Sequence, residues 1–262
     1  ILSVSSSMDI GEHPAGNRGR LFVFTNADSV RFYKNDVFIR EFTHADSPYK
    51  HLARPPIEID DFVGDQLAEN EDFAPQQAAM VKEMLNHSAR FGSNHLPWRI
   101  KRRALWLMLR YRMGYQDAYD LYQKYIGNWG GAATVYRFEA VKDGQVVKTV
   151  LKGPMTSRQL EARPSHTALR EEHTYDAALI RLAMTDQNGN VLPFYQGPVQ
   201  LETEGPIALI GPGEAMLRGG LGGCYVRSLG QAGPAALTLS GEGVPPIRIE
   251  FTVETEDTRH AG

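Results

Sequence analysis

The chain has 262 residues, more than one ordinary small domain needs and about right for two. Its 42% hydrophobic and 23% charged residues are those of a folded globular protein and exclude a disordered or fibrous one. The net charge of −3, from 28 basic and 31 acidic residues, gives no overall pull toward nucleic acid or an anionic membrane. No run approaches the roughly 18 consecutive apolar residues of a transmembrane helix.

The lone cysteine, Cys224, has no partner for an internal disulfide. The expectation is a buried free thiol in a reducing compartment, with cytoplasmic localisation favoured. The opening Ile1-Leu2-Ser3-Val4 lacks the charged and apolar regions of a signal peptide. An apolar, strand-like start without Met is what a segment cut from a longer chain would show.

In chain order, Leu21 to Thr25 and Val30 to Tyr33 read as strands separated by the turn-forming Asn26-Ala27-Asp28. Lys34-Asn35-Asp36 turns into a third strand from Val37 to Phe42. Past Asp60 the period becomes helical. Between Pro75 and Arg90, the residues Met80, Val81, Met84, Leu85 and Ser88 share one helix face. A second helix is predicted from Pro97 to Met113, stopped by Gly114, with Ile100, Ala104, Leu105, Met108 and Leu109 buried and Trp106 beside them. A third, from Gln116 to Tyr125, collects Ala118, Leu121, Tyr122 and Tyr125.

Strands return from Thr134 to Val141 and Gln145 to Leu151 around Asp143-Gly144, a strong hairpin signal. This hairpin is expected to complete the sheet begun at Leu21, which makes the helices an insertion. From Leu160 to Val253 short strands recur as in an all-β sandwich, the clearest being Thr174 to Ala183, Val199 to Thr203, Tyr225 to Ser228, Ala235 to Ser240 and Ile247 to Val253. Asp186-Gln187-Asn188-Gly189-Asn190 is a turn. Residues 205–223, with seven glycines, are expected to be mostly loop.

The segment Phe22-Val23-Phe24-Thr25-Asn26-Ala27-Asp28-Ser29-Val30-Arg31-Phe32-Tyr33-Lys34-Asn35 resembles the start of the immunoglobulin-like domain that follows the catalytic barrel in family 2 glycoside hydrolases, the β-galactosidase family. The hairpin from Tyr136 to Thr149, with its Lys-Asp-Gly turn, is similar to that domain's closing pair. In the family these halves lie close in sequence, whereas here roughly ninety residues intervene. Thr185 to Pro193, then Val199 to Gly205 and Ile207 to Gly211, resemble the further immunoglobulin-like domain at the C-terminus of many such enzymes. The likeness spans most of residues 19–45 and 132–253, but not the helices.

What the resemblance implies is a mainly β chain with an α insertion: two immunoglobulin-like β-sandwiches, the first interrupted by a small helical unit. Residues 1–59 and 128–155 would form the first sandwich, 60–127 the helical insertion, and 156–262 the second sandwich with a frayed tail. The implied function is that of a non-catalytic C-terminal accessory segment of a β-galactosidase-like enzyme, partnered by that enzyme's catalytic domain or a second subunit. Two other readings stay open: a carbohydrate-binding module, and an immunoglobulin-like surface or adhesion protein.

The family's chemistry is not expected in this chain. A retaining glycosidase needs two carboxylates about 5 to 5.5 Å apart, and the family's acid/base lies in an Asn-Glu pair at a barrel strand end. The one Asn-Glu here, Asn70-Glu71, falls in an acidic run between helices, and a (β/α)₈ barrel alone takes about 250 residues. No catalytic residue, metal site or cofactor is therefore predicted. His44 and His51 read as solvated loop residues, and the glycines of 211–223 lack a phosphate loop's Gly-Lys-Ser/Thr ending. The basic residues from Arg99 to Arg112 are expected to be balanced by the acidic residues of 58–72, which leaves no nucleic-acid or membrane partner. Flat aromatic rings suit sugar stacking or an interface, so the candidate contacts are Trp98, Trp129, Asn128, Tyr115 and Tyr119.

Overall fold

The computed structural model describes residues 1–8, 18–92, 96–127 and 134–256. The chain divides into two compact units, Ile1–Pro154 and Met155–Gly262.

In the first unit, β1 (Leu2–Val4), β2 (Leu21–Thr25), β3 (Ser29–Lys34), β4 (Val37–Thr43) and β5 (Ile57–Ile59) precede four helices. These are α1 (Gln66–Asn70), α2 (Pro75–Phe91), α3 (Trp98–Tyr111) and α4 (Tyr115–Tyr125); β6 (Tyr136–Lys142) and β7 (Gln145–Lys152) follow. One sheet has the order β1-β2-β5 and the other β4-β3-β6-β7. β3 and β6 pair antiparallel from Ser29↔Val141 to Lys34↔Tyr136, so the strand before the helices and the hairpin after them lie side by side.

Local chemistry explains the two tight hairpins. Asn35 and Asp36 have φ of 48° and 62°, and Asp143 and Gly144 have 51° and 76°. Positive φ at both central residues defines the type I′ turn, whose twist matches that of the flanking strands. Alternation along β6 then sends Tyr136, Phe138 and Ala140 inward. They meet Val30 and Phe32 of β3 and Phe62 in one core, which also takes in Met80, Val81 and Leu85 of α2, Leu107 of α3 and Leu121 of α4.

The helices are tied to the sandwich by polar contacts as well. Arg18 donates to the Tyr136 hydroxyl and, at 3.2 Å, to the Ile126 carbonyl, with its guanidinium 5.0 Å from the Phe62 ring centre. Lys34 Nζ donates to the Tyr125 carbonyl at 2.6 Å. Burial and the nearby Arg18 charge bring the pKa of Lys34 down to about 8.

α3 departs from expectation. It ends at Tyr111 because Arg112 adopts the left-handed conformation, and Gly114 is the N-cap of α4, with its N–H held by Asp117 at 2.7 Å. Ile100 and Leu107 are its buried residues, whereas Leu105, Met108 and Leu109 are exposed. Ile100 is buried as expected, but the helix is apolar on several faces, and periodicity alone put Leu105, Met108 and Leu109 on the wrong one.

The second unit contains β8 (Arg158–Pro164), β9 (Ala168–Glu171), β10 (Ala177–Asp186), β11 (Gln196–Glu204), β12 (Ile207–Ile210), β13 (Glu214–Arg218), β14 (Leu221–Ser228), β15 (Gly233–Gly241) and β16 (Ile247–Thr255). Its hydrogen-bonded order is β8-β10-β14-β13-β11-β15-β16-β9, with β12 also on β14. All pairings are antiparallel except β16 with β9. The inward residues share a core that includes Ile180, Leu182, Leu217, Val226, Leu237 and Phe251. Together the units form a mainly β fold of two sandwiches with a helical insertion in the first.

Residues 205–223 are not mostly loop. They hold β12, β13 and the start of β14, and their glycines let backbones come close. A Cβ on Gly205 (φ +76°) would lie 2.4 Å from the Pro234 carbonyl oxygen. Gly205→Ala is expected to cost at least about 1–2 kcal/mol, since the left-handed conformation is itself unfavourable for a residue with a Cβ. Chemical denaturation monitored on the second unit would register this, and an unchanged midpoint would refute the close approach. Cys224 is buried on β14, and burial pushes its thiol pKa up to about 11, as suits an inert core residue.

Candidate functional site

The helical unit carries the candidate contacts. Trp98 opens α3 and is 75% exposed; Tyr115 opens α4 and is 85% exposed, with Tyr119 one turn further along and also exposed. Asn128 and Trp129 lie outside the described residues. At helical spacing Trp98, Arg102, Leu105 and Leu109 form one outward stripe of α3, flanked by Trp106 and Met108. Leu109 is 73% exposed. Of the remaining aromatic residues, Tyr125 is buried, and Tyr111 and Tyr122 pack partly against the core.

The charges pair differently from expectation. Arg99 and Arg103 of α3 both contact Glu83 of α2. The acidic run at 58–72 is met instead by other partners: Glu58 by Arg20 and Arg90, Asp61 by Lys82, and Glu71 by Lys124. Among the described residues Lys101, Arg102 and Arg112 have no ion pair, so the outer side of α3 is basic as well as apolar. His44 is no solvated loop residue either; its ring bridges the Ala27 and Pro55 carbonyls at 3.0 and 2.7 Å.

Glu71 accepts from Lys124 Nζ and from the Tyr125 hydroxyl, each at 2.7 Å. Those two hydrogen bonds hold its carboxyl below the usual range despite partial burial. A general acid in glycoside hydrolysis needs the opposite shift. Glu71 borders a shallow groove of about 400 Å³ with Asp117, Asp120 and Lys124, where it links α4 to the end of α1.

The acidic doublet Asp60-Asp61 was legible only as part of a charged stretch. In the fold Asp61 is a buried organiser. It accepts from the Val63 and Gly64 N–H groups at 3.1 and 3.0 Å, from Asn86 Nδ2 at 3.0 Å, and pairs with Lys82 Nζ at 2.7 Å. Burial pushes its pKa up, but Lys82, the Gly64 N–H and Asn86 together outweigh this and hold it below 3.8. No cluster of His, Cys, Asp and Glu suited to a metal ion occurs among the described residues, and no helix there is long and apolar enough to cross a membrane.

Largely antiparallel sandwiches, the first with an aromatic helical insertion, define a β-sandwich module. No family model matches the chain. A β-galactosidase of Rhizobium radiobacter is 30% identical over 120 residues, which cover 43% of this chain and 87% of that protein. A β-galactosidase of Rhizobium meliloti is 43% identical over 67 residues, 26% of this chain and 8% of that protein. The chain belongs to the β-galactosidase family.

Solved structures agree on the fold. A β-glycosidase from Bacteroides vulgatus superposes with a TM-score of 0.55 at 11% identity, over 96% of this chain and 24% of that enzyme. A family 2 β-glucuronidase superposes with a TM-score of 0.50 at 12% identity, over 97% of this chain and 20% of that enzyme. The chain therefore spans a quarter or less of these solved enzymes and of the Rhizobium meliloti relative.

Proposed function

We propose that this chain is a non-catalytic accessory segment of a glycoside hydrolase acting on β-galactosides. In this reading α3 and α4 form the surface that joins it to the catalytic part or to a second subunit. The observation that carries the proposal is the outward stripe of Trp98, Leu105 and Leu109 with Tyr115 close in sequence, on a chain that matches only a small part of the larger Rhizobium meliloti β-galactosidase. Covering a leucine side chain fully is worth about 1.5–3 kcal/mol, and aromatic residues with arginine are enriched at interface centres.

Two measurements test this. The isolated chain is expected to give no turnover of aryl β-galactosides, β-glucuronides or β-mannosides. Turnover abolished by Glu71→Gln, but not by a surface control, would overturn the non-catalytic reading. In the longer enzyme, the combined Trp98→Ser, Leu109→Ser and Tyr115→Ser variant is expected to weaken subunit or domain association by at least about tenfold. The far-ultraviolet circular dichroism of the isolated segment, which reports its backbone, should stay the same. Association unaffected by the triple change would exclude α3 and α4 as the surface.

A further inference from the structure

Charge is distributed unevenly over the helical unit. α3 contains no acidic residue, and Glu83 of α2 takes up its Arg99 and Arg103. Lys101 and Arg102 are exposed without an ion pair among the described residues, as is Arg112 just past the helix. α4 carries the opposite sign. Its Lys124 is held by Glu71, which leaves Asp117 and Asp120 exposed and without an ion pair among the described residues.

Local hydrogen bonds do not neutralise these carboxylates. Asp117 accepts from the Gly114 N–H at 2.7 Å and Asp120 from Gln116 Nε2 at 2.8 Å, both uncharged donors. Arg112 lines the same groove of about 400 Å³ as Asp117 and Asp120, yet pairs with neither. Each sign also stands beside uncovered apolar groups: Lys101 and Arg102 beside the stripe of Trp98, Leu105 and Leu109, and Asp120 beside Tyr119.

We infer that the partner at this surface is a second copy of the chain, with α3 of each copy packed on α4 of the other. The inference rests on the reading of α3 and α4 as a docking surface and specifies its occupant. A face of one sign fits a partner of the other sign, whereas neighbouring helices of opposite sign, unpaired within their own chain, are each other's complement between chains. In a two-fold contact each patch meets its counterpart twice. The basic side of α3 then faces Asp117 and Asp120 of the other copy, and Leu105, Leu109 and Trp98 are covered by tyrosines at the same time. Apolar and aromatic burial supplies the affinity, and the matched charges select the partner and fix its orientation.

Sedimentation equilibrium of the full chain tests this. A dimer is expected, weakened at least about tenfold by Arg102→Glu and by Asp120→Lys, because each reversal sets like charges face to face twice. An equimolar mixture of the two variants should recover the parent's association, since every reversed residue then meets an opposite charge in the other chain. Unfolding cannot produce that recovery. A chain still monomeric at about 100 μM would overturn the inference. So would a dimer indifferent to both reversals, or a mixture as weak as its components. Pelleting of a monomeric chain with vesicles of phosphatidylserine and phosphatidylcholine would also overturn it, by assigning the basic side of α3 to a lipid surface. Failure of the docking reading is separable. If the chain is monomeric while the triple serine variant still weakens association in the longer enzyme, the surface stands and the catalytic part occupies it. If that variant has no effect either, the surface itself is wrong.

Discussion

Phe32→Ala is expected to cost the first unit about 3–5 kcal/mol, a large part of the roughly 5–15 kcal/mol that holds an ordinary domain together. Phe32 is fully buried on β3, the central strand between β4 and β6. Its ring stacks on Tyr136 at 5.8 Å, tilts against Phe138 at 5.0 Å and meets Phe62 edge-on at 5.7 Å. It therefore joins the strand before the helical insertion to the hairpin after it and to the segment that leads into the helices. Truncation removes the buried ring and leaves a cavity in a region fixed from three sides, so collapse recovers little.

The second unit has its own core and should keep its stability. Hydrogen exchange resolved by segment is expected to show lost protection in β3, β6 and α2, with β10 and β15 unaffected. Phe32→Leu should cost less than half as much. A loss below about 1 kcal/mol for Phe32→Ala would mean that the aromatic cluster is not the centre of this unit.

Asp61→Ala is expected to cost about 3 kcal/mol at neutral pH, because it removes a buried carboxylate that pairs with the half-buried Lys82 and accepts from three further donors. Lys82 would keep only Asp65, at 3.7 Å and largely exposed, and the Val63 and Gly64 N–H groups and Asn86 would lose their shared acceptor. The pH dependence gives a second readout. The folded-state pKa of Asp61 lies below the ordinary 3.8, so its contribution is fully present above that value. As pH falls below 3.8 toward the folded-state value, the carboxylate protonates and the contribution disappears. The gap between parent and variant should thus be constant from pH 5 to 7 and narrow in acid. A gap that instead widened on acidification would contradict the depressed pKa.

Short-range chemistry made much of this molecule legible in advance. The turns at Asn35-Asp36 and Asp143-Gly144 follow from the tolerance of Asn, Asp and Gly for positive φ. The face of α2 formed by Met80, Val81 and Leu85 follows from a period of 3.6, and strands such as β11, β15 and β16 follow from β-rich runs between turn residues. β12, β13 and the start of β14 were not legible, because their glycines signal turns locally and become strand residues only when neighbouring backbones close on them.

The surfaces were decided by tertiary structure. α3 has apolar residues around much of its circumference, so its composition does not say which side is covered; α2 and the sandwich core take Leu107 and leave Leu105 and Leu109 outside. The partners of Glu71, 53 and 54 residues away, and those of Asp61, up to 25 residues away, depend on how the helices pack. Residue types and periods are written along the chain and fix most of its elements, though not β12, β13 and the start of β14. Pairing and burial are set by distances through space, which exist only once β3 has met β6 and the helices have closed on the core.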